Sequence, residues 1–148
     1  MKGDKNYKIA QLMNSNLYKG IYDLKGIEYE EYEYYDLYRS YLRKAAYQGH
    51  AEGQYDLALT YEDISFLGVG SPDYSPKKAF YWYTKACQND IGDACNNLAM
   101  MYEKGLACEQ DINKALLLYK KAASLGSDNG KNNLRIFLRQ IKEGKYSL

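Results

Sequence analysis

Few of the potentially reactive residues stand at the spacing of a known catalytic or metal-binding site. His50 is the only histidine of the chain, so it is the one imidazole that could activate a cysteine or a serine. It falls at a predicted turn, and Cys87 and Cys95 do not stand with it at the spacing of a zinc site. No glycine-rich phosphate loop occurs either. The sequence therefore predicts no catalytic residue, no metal and no cofactor, and it favours a binding protein.

An internal repeat supplies the elements that must position these residues. Residues 78–87 and 114–123 both begin with Lys-Ala, carry a tyrosine five residues after the lysine and end on Lys-Ala followed by one small residue. Residues 57–62 and 98–103 precede them in the same order. Each unit is interpreted as two helices, A then B, with an apolar face that only a neighbouring unit can cover. We therefore expect an all-α fold, a right-handed α-solenoid of antiparallel helix pairs.

The repeat also divides the chain. We expect one domain over residues 1–148, with about two and a half repeats and a C-terminal capping helix. Its predicted parts are divergent N-terminal helices near 4–18 and 28–47 with an eroded repeat in 1–49, repeats over 50–90 and 91–127, and a capping helix and tail over 128–148. Residues 64–76 carry an insertion of five residues relative to the next repeat, and the prolines and glycines of this segment predict a loop.

The charge balance excludes recruitment by a whole-molecule field. Twenty basic and nineteen acidic residues leave a formal charge of +1, so net charge attracts neither nucleic acid nor an anionic membrane. No apolar stretch has the length of a bilayer span, and the first twenty residues lack a signal-peptide core. As written, the chain is expected in the cytoplasm, or in the periplasm or outside the cell if a leader has been removed. We expect a monomer with a protein partner.

Tyrosine is unusually abundant, with 18 tyrosines against three phenylalanines. Seven of them fall within residues 29–47, and a helix with a period of 3.6 residues cannot bury all of them on one face. An exposed tyrosine gives a large contact area with few rotatable bonds, which suits protein recognition. This helix is therefore a candidate surface, and packing against neighbouring helices is the alternative.

The combined pattern resembles the Sel-like repeat (SLR, the Sel-one family), a relative of the tetratricopeptide repeat. The residues that carry the resemblance are Leu98, Ala99, Tyr102, Gly105, Asp111 and 114–123, with Gly68, Asp73 and 78–83, including Trp82, in the preceding unit. The resemblance covers roughly residues 40–140. It implies a non-catalytic adaptor or inhibitor whose A helices line a concave surface that holds another protein.

Carried onto this chain, the resemblance implies a partner-binding surface at the non-core positions of two A helices. These positions are Glu52, Asp56, Thr60, Asp93, Asn97 and Met101. An ordinary solvent-facing helix is the alternative for each of them.

The spacing of Cys87 and Cys95 is similar to that of the cysteine-rich SLR proteins of Helicobacter, in which such pairs join adjacent helices. A turn between antiparallel helices also brings these two ends within the reach of a disulfide. The family would repeat the pair in every unit, whereas here it occurs once, and Cys87 aligns with Ala46 and Ala123, where a small buried thiol would fit. The pair is therefore a disulfide candidate, and Cys108 is expected to be a buried core thiol.

The same resemblance carries an enzyme alternative, because some cysteine-rich SLR proteins bind or hydrolyse penicillins. Residues 75–78 (Ser-Pro-Lys-Lys) and 127–129 (Ser-Asp-Asn) match penicillin-recognising motifs in letters. Ser75 falls just before a B helix and Ser127 just before the capping helix, and no Lys-Thr-Gly follows them. We interpret both matches as chance, and keep a β-lactam-binding or hydrolysing protein as the alternative function.

Overall fold

The computed structural model describes residues 2–62 and 74–147. Within them the helices are α1 (Asp4–Leu17), α2 (Glu31–Tyr47), α3 (Ala51–Glu62), α4 (Pro76–Gln88), α5 (Gly92–Lys104), α6 (Ile112–Ser124) and α7 (Asp128–Lys142). Each helix packs against the next one in the chain, and α7 also contacts α5. The prediction of an all-α solenoid of antiparallel helix pairs is confirmed, with α1, α3 and α5 as A helices and α2, α4 and α6 as B helices.

A short hairpin between α1 and α2 is an element that the sequence pattern does not predict. Strands β1 (Asp23–Leu24) and β2 (Ile27–Glu28) pair antiparallel, and the carboxylate of Asp23 accepts a hydrogen bond from the backbone N–H of Gly26 at 3.0 Å. Lys25 and Gly26 both have positive φ, at 57° and 77°, as a tight hairpin turn requires. Strands of two residues are too short to show an alternating pattern, so only a connector was evident here.

Side chains that cap the helix starts recur from repeat to repeat. Ser75 and Asp111 each accept a hydrogen bond from the third helical residue of α4 and α6. The equivalent role at α3 and α7 falls to Nδ1 of His50 and Oγ of Ser127. A capped start satisfies N–H groups that have no partner inside the helix. The single histidine therefore has a structural role.

Small residues allow each A helix to lie directly on the preceding B helix. A Cβ atom added to Gly53 would lie 3.1 Å from the Cβ of Ala45, and one added to Gly130 would lie 2.6 Å from the Cβ of Ala122. Ala94, at the equivalent position of α5, is fully buried. Helix α7 thus approaches α6 even more closely than α3 approaches α2.

The core follows the helix stack. One cluster of buried side chains runs from α1 to α6, and a second joins α5, α6 and α7 around Ala99, Ala115, Tyr119 and Phe137. None of the described helices combines the length and the apolar character that a bilayer-spanning segment needs. The predicted insertion at 64–76 lies largely outside the described residues.

Candidate protein-binding surfaces

The A helices of the two clear repeats are acidic. Helices α3 and α5 together carry five carboxylates and a single lysine, Lys104, at the last position of α5. The carboxylates are Glu52, Asp56, Glu62, Asp93 and Glu103. We call the exposed sides of α1, α3 and α5 the A-helix face, and those of α2, α4 and α6 the B-helix face.

Two of these carboxylates accept hydrogen bonds from tyrosines of their own repeat. The hydroxyl of Tyr83 donates to Oε2 of Glu62 at 2.5 Å, and the hydroxyl of Tyr119 donates to Oε2 of Glu103 at 2.7 Å. Burial raises the pKa of both tyrosines, so each hydroxyl keeps its proton and remains a donor. A glutamate in the last turn of α3 and one in the last turn of α5 are therefore each held by the B helix that follows.

The residues expected on the binding surface differ in exposure. Glu52 is exposed, and Asp56, Asp93 and Asn97 are half-buried. Thr60 and Met101 are buried instead, with 7% and 1% of their surface exposed. An A helix contacts the preceding B helix and its own B helix, so its buried arc is wider than a single apolar stripe. Of the six positions, four keep solvent-accessible side chains.

A cleft of about 150 Å³ opens on the A-helix face between α1, α2 and α3. It is lined by Asn14, Tyr18, Tyr35, Tyr38, Asp56, Leu59 and Thr60. The hydroxyl of Tyr7 donates to Oδ2 of Asp56 at 2.8 Å. Burial raises the pKa of the Asp56 carboxyl, and the hydrogen bond from Tyr7 opposes that rise. We call this site the Asp56 cleft. Its aromatic wall and single carboxylate suit a cationic side chain.

Asp93 is engaged at the other end of the A-helix face. The hydroxyl of Ser127 donates to Oδ1 of Asp93 at 2.5 Å, and Nδ2 of Asn133 donates to Oδ1 of Asn96 at 2.8 Å. Both bonds join α7 to α5. The A-helix face therefore continues onto α7 through polar contacts.

The two serines of the β-lactam alternative are helix caps. Oγ of Ser75 accepts from the backbone N–H of Lys78 at 3.4 Å, and Oγ of Ser127 accepts from that of Gly130 at 2.9 Å. Ser127 is also buried, with 8% of its surface exposed. The β-lactam alternative stays a prediction with no structural observation behind it.

Cys87 and Cys95 form a disulfide that joins the end of α4 to the first turn of α5, with their Cα atoms 4.7 Å apart. The predicted pairing is thus present in the structure. Helix α6 reaches the same place, because Nζ of Lys121 donates to the carbonyl oxygen of Cys87 at 2.8 Å and pairs with Oδ1 of Asp90 at 2.9 Å. The boundary between the two clear repeats is therefore held together by a disulfide and by the polar contacts of Lys121.

The expectation for Cys108 needs correction. Cys108 is a free thiol that is half-buried rather than part of the core. It lies in the connection between α5 and α6, and its Sγ is 3.7 Å from the carbonyl oxygen of Met101. Burial raises the pKa of this thiol, which favours the unreactive protonated form.

The tyrosine-rich helix combines the two expected roles. Tyr34, Tyr35 and Tyr38 are buried, whereas Tyr32 and Tyr47 have 68% and 76% of their surface exposed. Packing and surface exposure therefore share one helix.

Comparison with known proteins identifies the repeat. The sequence model described as Sel1 repeat matches residues 39–50, 51–91 and 92–127, which together exceed half of the chain. The chain belongs to the Sel1 repeat family. The resemblance found in the sequence is confirmed, and Sel1 repeats generally mediate protein–protein interaction.

Relatives of this Sel1 repeat protein come from bacteria and mammals. The DAP3-binding cell death enhancer 1 of Rattus norvegicus is 29% identical over 99 residues, which are 65% of this chain and 18% of that protein. This chain therefore spans less than a fifth of that relative's length. The name of the relative states that it binds DAP3.

Two solved structures share the fold. A Sel1 repeat protein of Oxalobacter formigenes has a TM-score of 0.67 and 27% identity, covering 90% of this chain and 89% of that one. The cysteine-rich protein B of Helicobacter pylori has a TM-score of 0.60 and 19% identity, covering 90% of this chain and 98% of that one. The second likeness concerns the fold alone.

Proposed function

We propose that this Sel1 repeat protein is a non-catalytic adaptor or inhibitor that binds a partner protein on its A-helix face. The observation that carries the proposal is the Asp56 cleft, in which tyrosine rings surround one partly desolvated carboxylate. A role in protein binding agrees with the general role of Sel1 repeats and with the printed name of the DAP3-binding relative. Since that relative is matched over a small share of its length, its partner is not carried over.

The charge of α3 and α5 supports a basic partner. Five carboxylates and one lysine on α3 and α5 favour a basic segment. A lysine or arginine side chain of the partner would enter the Asp56 cleft, with its charged head near Asp56 and its alkyl stem along the rings of Tyr35 and Tyr38. Glu52, one helical turn before Asp56, would strengthen the same attraction.

Site-specific photo-crosslinking tests this assignment. A photoreactive phenylalanine analogue is placed at Leu59, which lines the Asp56 cleft, and in a second protein at Ile136 on α7. The two side chains have almost equal exposure, 38% and 39%, so exposure alone does not separate them. We expect a cross-link to a partner from Leu59, and its loss when Asp56→Arg is added, because the reversed charge repels a basic segment.

Two controls are needed, one for folding and one for the position of the crosslinker. Circular dichroism of Asp56→Arg must show the helical signal of the parent chain. Cross-links that arise equally from both positions, or that survive Asp56→Arg, would place the partner elsewhere on the molecule.

A further inference from the structure

The B-helix face carries two clefts at equivalent places in successive repeats. Each has a volume of about 330 Å³, one between α2 and α4 and the other between α4 and α6. In both, a lysine lies over the ring of the tyrosine near the end of the A helix: Lys78 over Tyr61 at 5.2 Å, and Lys114 over Tyr102 at 4.8 Å. The two clefts are therefore two copies of one architecture.

The residues that line the two copies differ sharply. The cleft between α2 and α4, which we call the aromatic cleft, has Arg43, Tyr47, Tyr81 and Trp82. The repeat alignment places Thr84, Gln88, Leu117 and Leu118 at the same positions in the cleft between α4 and α6, which we call the aliphatic cleft. The fold is built with leucine, glutamine and threonine at these positions in one copy, so the architecture does not require the aromatic set in the other.

The rings of the aromatic cleft are arranged around a buried tryptophan. Tyr47 and Tyr81 each lie 5.0 Å from Trp82 between ring centroids, at interplanar angles of 89° and 82°. Trp82 has 5% of its surface exposed, whereas Tyr47 and Tyr81 have 76% and 51%. Two exposed tyrosine rings therefore stand edge-on against one buried indole, which fixes their position.

Charge distinguishes α4 and α6 from the A helices α3 and α5. Helices α4 and α6 carry six lysines and no carboxylate, and Lys77, Lys78 and Arg43 line the aromatic cleft itself. Basic groups around a concave surface concentrate positive potential there. An occupant with an aromatic group and negative charges complements both features of the lining.

We propose that the aromatic cleft is a second docking site, which binds an acidic polypeptide segment that contains an aromatic side chain. The aromatic side chain packs against Tyr47 and Tyr81, and its acidic neighbours pair with Arg43, Lys77 and Lys78. A polypeptide fits better than a nucleic acid, because the chain has a net charge of only +1 and helices α3 and α5 would repel a long polyanion. The site is separate from the Asp56 cleft, so one can fail without the other.

Tryptophan fluorescence gives a local readout, because Trp82 is the only tryptophan of the chain. The probe is a synthetic peptide in which glutamate alternates with phenylalanine, and its counterpart replaces every glutamate with lysine. We expect the acidic peptide to change the emission of Trp82 saturably and the basic one to leave it unchanged. Isothermal titration calorimetry with the same peptides measures binding independently of the indole.

The repeat itself supplies the variants. Tyr47→Gln and Tyr81→Leu together introduce the residues of the aliphatic cleft, and we expect them to weaken binding of the acidic peptide at least roughly tenfold. Lys78→Ala should also weaken binding, whereas Lys114→Ala, at the equivalent position of the aliphatic cleft, is the matched control that should not. Asp56→Asn should leave this binding unchanged, which separates the site from the A-helix face.

Each of the following results would overturn the proposal. One is an absence of calorimetric binding of the acidic peptide to the parent chain. Another is binding that is equal for the acidic and basic peptides, or equal in the Tyr47→Gln and Tyr81→Leu variant that circular dichroism shows to be folded. The third is saturable binding of an oligothymidylate but not of the peptide, which would make the aromatic cleft a nucleic-acid site.

Discussion

The two faces of the same two repeats have opposite charge. Helices α3 and α5 carry five carboxylates and one lysine, whereas α4 and α6 carry six lysines and no carboxylate. The formal charge of +1 for the whole chain conceals this separation. The comparison shows that a helical repeat can keep one packing scheme and still present two surfaces with different partner chemistry.

The largest effect is expected where the two faces are joined covalently. Replacing Cys87 and Cys95 by alanine removes the link between α4, a B helix, and α5, an A helix. A disulfide across so short a loop stabilises by about 2–3 kcal/mol, so denaturant unfolding should show a loss of that size in the free energy of unfolding. Cys108→Ala, which removes the half-buried free thiol, is the control and should change stability much less. Equal stability of parent and double variant would contradict the prediction.

A smaller loss is expected where α7 extends the A-helix face. Gly130→Ala places a Cβ atom 2.6 Å from the Cβ of Ala122, so α7 must move away from α6. Overpacking of this kind costs about 1–3 kcal/mol, which exceeds the roughly 1 kcal/mol that alanine gains over glycine within a helix. Thermal unfolding should therefore show a lower Tm. Gly53→Ala, where the approach is 3.1 Å, should be close to neutral, and equal effects at both glycines would count against close packing as the cause.

The pH dependence of the A-helix face should reveal the environment of Asp56. Burial raises the pKa of its carboxyl in the folded state above the unfolded value, so the folded state binds this proton more tightly. The charged form therefore costs stability at neutral pH, and this cost disappears as the pH falls through the raised pKa towards the unfolded pKa. Compared with Asp56→Asn, the parent chain should gain stability on acidification, and the gain is limited because the side chain is partly exposed. Urea unfolding of both proteins at several pH values measures the difference, and a constant difference would refute the raised pKa.

The smallest effect is expected for Tyr47, in the aromatic cleft of the B-helix face. Tyr47 is largely exposed, so Tyr47→Gln should change the free energy of unfolding by less than about 0.5 kcal/mol. Trp82→Leu in the same cleft removes a buried ring and should cost about 1–3 kcal/mol, although leucine stands at the equivalent Leu118. Urea unfolding that showed a large cost for Tyr47→Gln would give that tyrosine a structural role instead of a binding role.

The helices and their pairing were predictable because two units of the chain repeat each other. Thr60 and Met101 were expected at the surface, but both are buried. A single apolar stripe underestimates how much of an A helix is covered by its neighbours. Nothing in the sequence pattern predicted the burial of Arg39, which has 1% of its surface exposed. Its guanidinium carbon lies 5.5 Å from the ring centroid of Tyr61, a contact between different helices.

The Asp56 cleft shows the limit of sequence reasoning most clearly. Asp56 was a predicted surface residue, but the cleft depends on Tyr7 and other side chains of α1 and α2 that precede the recognisable repeats. No alignment between repeats could bring Tyr7 next to Asp56. The aromatic cleft differs in this respect, because the repeat alignment alone identifies which of its positions depart from the second copy.

The tyrosine–glutamate hydrogen bonds and the disulfide lie at different places in the repeat. The bonds from Tyr83 to Glu62 and from Tyr119 to Glu103 lie inside one A–B pair, whereas the disulfide crosses from one pair to the next. A duplicated copy of residues 92–127 would thus bring its own tyrosine–glutamate bond but no new cross-link. A chain of this type can grow by copying single units, while the covalent closure stays a property of one junction.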